Sequence, residues 1–112
     1  YDEYSSLFRR FQSALVNNDR ATVAALMDYP LKVYTDINNF GVAQPPVRTS
    51  SELLKRYQQI FKPAYVSQIS RFNPQIIWCR SDGFTTFGKD GEVGLVYAQG
   101  DNHHVAIVVI NN

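Results

Sequence analysis

The sequence predicts a segregated α+β domain, with N-terminal helices packed on one face of an antiparallel sheet. Two observations carry that expectation. From Gln75 to Asn112, four short apolar runs are cut apart by Ser81-Asp82-Gly83, Gly88-Lys89-Asp90-Gly91 and Gln99-Gly100-Asp101-Asn102. Turn-forming clusters at this spacing mark antiparallel hairpins. Most of the chain before them repeats its apolar residues at helical period. Helices first and a strand meander afterwards give a two-layer architecture. A chain of 112 residues, read as one domain over 1–112, can bury a single core without staples.

Along the helical half, Tyr4, Leu7, Phe8, Phe11, Ala14 and Leu15 form one apolar stripe. Asp2 and Glu3 sit near its start, where the helix dipole favours negative charge. Asn17-Asn18 breaks this helix. Asp19 can cap a second, short one whose inner face is Val23, Leu26 and Met27, and Pro30 forbids its continuation. Leu31-Lys32-Val33-Tyr34-Thr35 alternates as a short strand does. The segment from Asp36 to Val47, with Phe40 and Pro45-Pro46, reads as a long loop, either a docking arm or a surface excursion. Thr49-Ser50-Ser51-Glu52 fits a capping box opening a helix with Leu53, Leu54, Tyr57, Ile60 and Phe61. Pro63 suits the first turn of a further helix carrying Tyr65, Val66 and Ile69, and Asn73-Pro74 ends the helical half.

Turn positions predict which strand residues share a face. A loop centred on Gly100-Asp101 sets Tyr97 opposite His104 and Leu95 opposite Ala106. A turn around Lys89-Asp90 or Asp90-Gly91 brings Phe84 and Thr86 to the same side, and a two-residue Asp82-Gly83 turn adds Ile77 and Cys79. This more uniformly apolar face is expected against the helices. The opposite face then carries Ile76, Trp78, Arg80, Thr85, Phe87, Glu92, Val96, Ala98, His103, Val105 and Ile107, an aromatic surface mixed with Arg80, Glu92 and His103 and suited to a partner. A three-residue Ser81-Asp82-Gly83 turn exchanges the faces of the first strand, and Trp78 with them.

Composition narrows the function. A net charge of +1, with no Lys/Arg cluster beyond Arg9-Arg10, argues against nucleic acid as a partner. The single Cys79 permits no internal disulfide and no Cys-rich zinc module. No apolar run approaches the ~20 residues that span a bilayer. Tyr1 in place of Met fits a removed leader or a trimmed chain. Four lysines against eight asparagines, with many Tyr, Ser and Gln, suit a periplasmic or secreted bacterial protein.

The order of elements, with Phe11…Ala14-Leu15…Asp19…Val23-Ala24-Ala25-Leu26…Tyr29-Pro30-Leu31, Ser51-Glu52-Leu53-Leu54…Tyr57…Ile60-Phe61 and Asp82-Gly83-Phe84, resembles the nuclear transport factor two-like, ketosteroid-isomerase-like superfamily, also described as cystatin-like. The resemblance covers nearly the whole chain and its motifs are structural. It implies a cone-shaped α+β fold in the order α-α-β-α-α-β-β-β-β, a ligand pocket at the cone mouth, and dimers formed through the outer sheet face. The chain is similar to small exported bacterial members of unassigned activity. Enzymes of the superfamily place Asp, His or Tyr inside the cone, and none of their catalytic residues aligns with this sequence.

The candidate ligand-binding residues are Tyr57, Tyr65, Tyr97 and His104, for a small apolar ligand; the alternative for the two helix tyrosines is that their rings fill the core. The candidate interface residues are Trp78, Arg80, Phe87, His103, Val105 and Ile107, for a homodimer or another protein partner. His103 and His104 point to opposite faces of a strand, which disfavours a shared metal. Cys79 reads as a small buried hydrophobe. Asp82, Asp90 and Asp101 lie in turns, where Asp is expected for backbone reasons, and the concave face has no carboxylate. No cofactor or catalytic residue is assigned. The first expectation is a non-enzymatic binding or protein-interaction domain. The alternatives are an isomerase- or hydrolase-type enzyme using His104, and a toxin-immunity or inhibitor protein.

Overall fold

The computed structural model describes residues 2–35, 42–73, 78–79, 84–87, 96–101 and 104–112. They form a mixed α+β structure: α1 (Asp2–Val16), α2 (Arg20–Ala25), β1 (Met27–Thr35), β2 (Val42–Ala43), α3 (Ser50–Lys55), α4 (Tyr57–Ile60), α5 (Pro63–Ser70), β3 (Trp78–Cys79), β4 (Phe84–Phe87), β5 (Val96–Asp101) and β6 (His104–Asn111).

Local chemistry explains the helix ends. The stripe Leu7, Phe8, Phe11, Ala14 and Leu15 is buried along α1. After α1 the chain turns at Asn18, whose φ of 53° is left-handed backbone that Asn tolerates. Asp19 caps α2 by accepting from the Thr22 amide at 3.3 Å and the Thr22 hydroxyl at 2.7 Å. Thr49 Oγ1 caps α3 through the Glu52 amide at 3.1 Å. Glu52 reaches back to the Arg48 amide at 3.2 Å, one residue before the cap. Pro63 opens α5 as expected.

Three local departures from expectation concern where elements begin and end. Met27 begins β1 rather than closing α2, and its side chain still reaches the core. The helix after Thr49 divides at Arg56 into α3 and α4. Within the segment read as a loop, Val42 and Ala43 pair with Thr35 and Tyr34, and Val47 bridges Leu31.

The strands lie in the order β2-β1-β6-β5-β4-β3. β1 and β6 are parallel, with β2, α3–α5 and β3–β5 between them in the chain, and the other neighbours are antiparallel. Buried residues of all five described helices gather in one cluster with Val33, Ala98, Ile107 and Ile110. Ala98 and Ile107 pair directly and both are 0 % exposed. The helices therefore cover the face that the sequence reading placed outward.

Register explains the correction. Asp101 pairs with His104 and Gly100 with Val105, so the β5–β6 pairing is centred further along the chain than Gly100-Asp101. A bulge follows: Ala98 pairs with Ile107 but Tyr97 pairs with Val109, which leaves Val108 as the extra residue on β6. The extra residue lets Ile107 and Ile110, three positions apart, both reach the core. On β3, Trp78 pairs with Thr86 and Cys79 with Thr85, the offset of the three-residue alternative.

Candidate functional site

The two helix tyrosines are built into the core. The Tyr57 ring is buried 4.8 Å from that of Phe61, and the Phe61 ring lies 6.2 Å from those of Phe11 and Tyr65. Offset and edge-on aromatic pairs of this kind add about 0.5–1.5 kcal/mol each beyond burial. Burial pushes the Tyr65 phenol well above its ordinary range, because the ionised form cannot be solvated there. Tyr57 is also raised, first by burial and then by Asp19, while Arg20 pulls it down. The Arg20 guanidinium lies 4.6 Å from the Tyr57 ring centre, in cation–π contact.

Tyr97 and His104 are not neighbours. Tyr97 pairs with Val109 and Thr86, whereas His104 pairs with Asp101. Four residues of β5 separate the two pairings, which is about 13 Å along the sheet. The expected Tyr97–His104 pair thus falls apart on register alone. The face assignment that places Tyr97 and His104 together against the helices is overturned by Ala98 and Ile107, while Tyr57 and Tyr65 follow the core-filling alternative.

The interface set divides in the same way. Ile107 belongs to the chain's own core, and Val105 is half-buried against that core. Phe87 pairs with Val96, which pairs with Ile110, itself paired with Val33, so Phe87 stands in the same row as the buried Ile110 and Val33. Trp78 occupies a different row. It pairs with Thr86, and the row continues through Tyr97 and Val109 to Lys32. Lys32 is exposed and Val109 half-buried, between the buried neighbours Val33 and Ile110, which assigns this row to the face away from the helices. Arg80 and His103 lie outside the described residues.

A second feature lies on the helical layer. A cleft of about 320 Å³ at the α1–α2 junction is lined by Arg9, Arg10, Ser13, Asn17, Asp19 and Thr22. The Arg9-Arg10 pair was the only signal of it in the sequence. Among the described residues no group of three or more His, Cys, Asp or Glu side chains could hold a metal ion, and no helix is long and apolar enough to cross a membrane.

Nothing matches this chain in comparisons with protein-family models, curated proteins and solved structures. The fold defines it as a mixed α+β domain with its described helices on one sheet face.

Proposed function

We propose that the chain is a nuclear-transport-factor-two-like domain that acts by binding rather than catalysis. Its binding surface is the sheet face away from the helices, and its first partner is a second copy of itself. The order of two helices, a strand, further helices and antiparallel strands supports the superfamily reading.

The observation that carries the binding reading is the row Lys32–Val109–Tyr97–Thr86–Trp78, which crosses five strands in register. Its member on the central strand, Val109, and the adjacent bulge residue Val108 keep part of their apolar surface uncovered in the single chain. Tyr and Trp are the residue types that most often anchor interfaces. A twofold pairing of the same face places the row against its own copy and withdraws apolar surface from water on both sides.

Sedimentation over a range of concentrations tests this reading. The parent chain is expected to dimerise. Val109→Lys should remain monomeric, and Leu54→Lys, an equally charged change on α3, should dimerise like the parent. A parent chain that stays monomeric throughout, or equal dimerisation of Val109→Lys, contradicts the reading.

A further inference from the structure

We propose that the cleft at the α1–α2 junction is a second binding site, taking a small ligand that carries a carboxylate or phosphate group. It lies on the helical layer and is independent of the sheet-face reading. Ser13 stands four residues after Arg9 and three after Arg10 on α1, and Asn17, just past the helix end, stands four after Ser13; together they lie on the side opposite the buried Phe8, Phe11 and Leu15. The turn after α1 brings Asp19 and Thr22 to the far wall.

The electrostatics leave the two arginines available. Among the described residues the ion pair is Arg56 with Glu52, so neither Arg9 nor Arg10 is neutralised by a described carboxylate. Asp19 shares the cleft, but both of its carboxylate oxygens accept from Thr22 at the start of α2. Arg20 is engaged elsewhere: its Nε donates to Asn18 Oδ1 at 3.3 Å and its guanidinium lies over Tyr57. Two guanidiniums with no ionic partner among the described residues therefore border one opening. Each presents a planar fork of N–H donors matched to the two oxygens of a carboxylate or phosphate.

A neutral donor completes the arrangement. Asn17 Nδ2 donates to Ser13 Oγ at 3.3 Å, and the Ser13 hydroxyl retains one hydrogen of its own that a ligand in the cleft could accept. A volume of about 320 Å³ leaves room for a small anion between the two walls.

The test titrates the full chain, at low ionic strength, with inorganic phosphate and with succinate as separate probes, read by amide and arginine side-chain NMR shifts. Saturable shifts at Arg9, Arg10, Ser13 and Asn17 are expected with at least one probe. Arg9→Gln/Arg10→Gln should bind at least about tenfold more weakly while melting at the parent temperature. Lys55→Gln/Lys62→Gln, which removes the same charge elsewhere, should bind as the parent does. Saturation by phosphate alone identifies a phosphate ligand, and by succinate alone a carboxylate. Absence of saturation with both probes overturns the proposal, as does equal weakening in the lysine variant. Neither arginine change alters the sheet face, so dimerisation and anion binding fail separately.

Discussion

Gln12 Nε2 donates to the carbonyl of Ile69 at 2.8 Å, tying the middle of α1 to the end of α5 across 57 positions of sequence. The same amide reaches the carbonyls of Phe72 at 2.9 Å and Ser70 at 3.3 Å. The Ile69 carbonyl also accepts from the Phe72 amide at 3.2 Å, so Gln12 adds a second donor there and reaches two further carbonyls at the end of α5 and just beyond it. Gln12→Ala should therefore lower stability by about 1–2 kcal/mol in urea unfolding. Gln12→Glu should cost at least as much near neutral pH, because an ionised carboxylate has no hydrogen to donate. An unchanged midpoint in both variants would show that the tie contributes nothing.

The face correction predicts a contrast between two strand positions. Ile107 is 0 % exposed within the helix-packed core, and Lys32 is exposed in the row on the other face. Ile107→Ala should cost about 2–5 kcal/mol by opening a cavity. Lys32→Ala should stay within about 0.5 kcal/mol, measured below the concentration at which chains associate. A mild effect at Ile107 would return that residue to the outer surface.

Burial of Tyr65 predicts a stability loss in alkali. Its phenol is raised well above the ordinary value in the folded chain and titrates near 10 in the unfolded one. Below about pH 10 both states hold the proton and stability is fully present. Above it the unfolded chain releases the proton first, so it binds fewer protons than the folded chain and stability falls as pH rises. Tyr29 and Tyr57, also raised by burial, act in the same direction. Urea midpoints at about pH 8 and about pH 11 should fall farther apart for the parent than for Tyr65→Phe. Equal declines would remove Tyr65 as a cause.

One sheet edge is protected by sequence. Gln44 and Val47 donate their amides inward to Val33 and Leu31, each at 2.9 Å, and between them lie the exposed Pro45 and Pro46, which have no amide hydrogen. Proline at an edge denies incoming strands a donor. Pro45→Ser/Pro46→Ser should raise light scattering on gentle heating well before the parent scatters. A variant as clear as the parent would show that the edge is guarded by something else.

These cases also show what could be read from the chain without coordinates. The α1 stripe, the Asp19 cap, the Thr49–Glu52 cap and the Pro63 start depend on neighbours within a turn of helix, and each was legible. Pairing is not local. Moving the centre of a hairpin by two residues keeps every side chain on its face and still displaces each partner by four, which is how Tyr97 and His104 were brought together in the reading and separated in the fold. The bulge at Val108 then shifted parity within a single strand, and no turn residue or proline announces it. Choosing the core face by uniformity also misled. The polar residues that make the other face look mixed, Arg80, Glu92 and His103, stand beside turn clusters in the sequence, while Ala98 and Ile107 further along the runs are buried. The Arg9-Arg10 pair was visible, but the wall opposite it depends on how α2 returns past α1.

The central claim is that the sheet row away from the helices is the contact surface. Diluting isotope-labelled chain through the dissociation range, while following its backbone amide resonances, tests the claim most directly. Shifts are expected to concentrate at Lys32, Trp78, Thr86, Tyr97 and Val109, with α1 and α3 unmoved. Spectra that do not change on dilution, or changes centred on the helices, would contradict it.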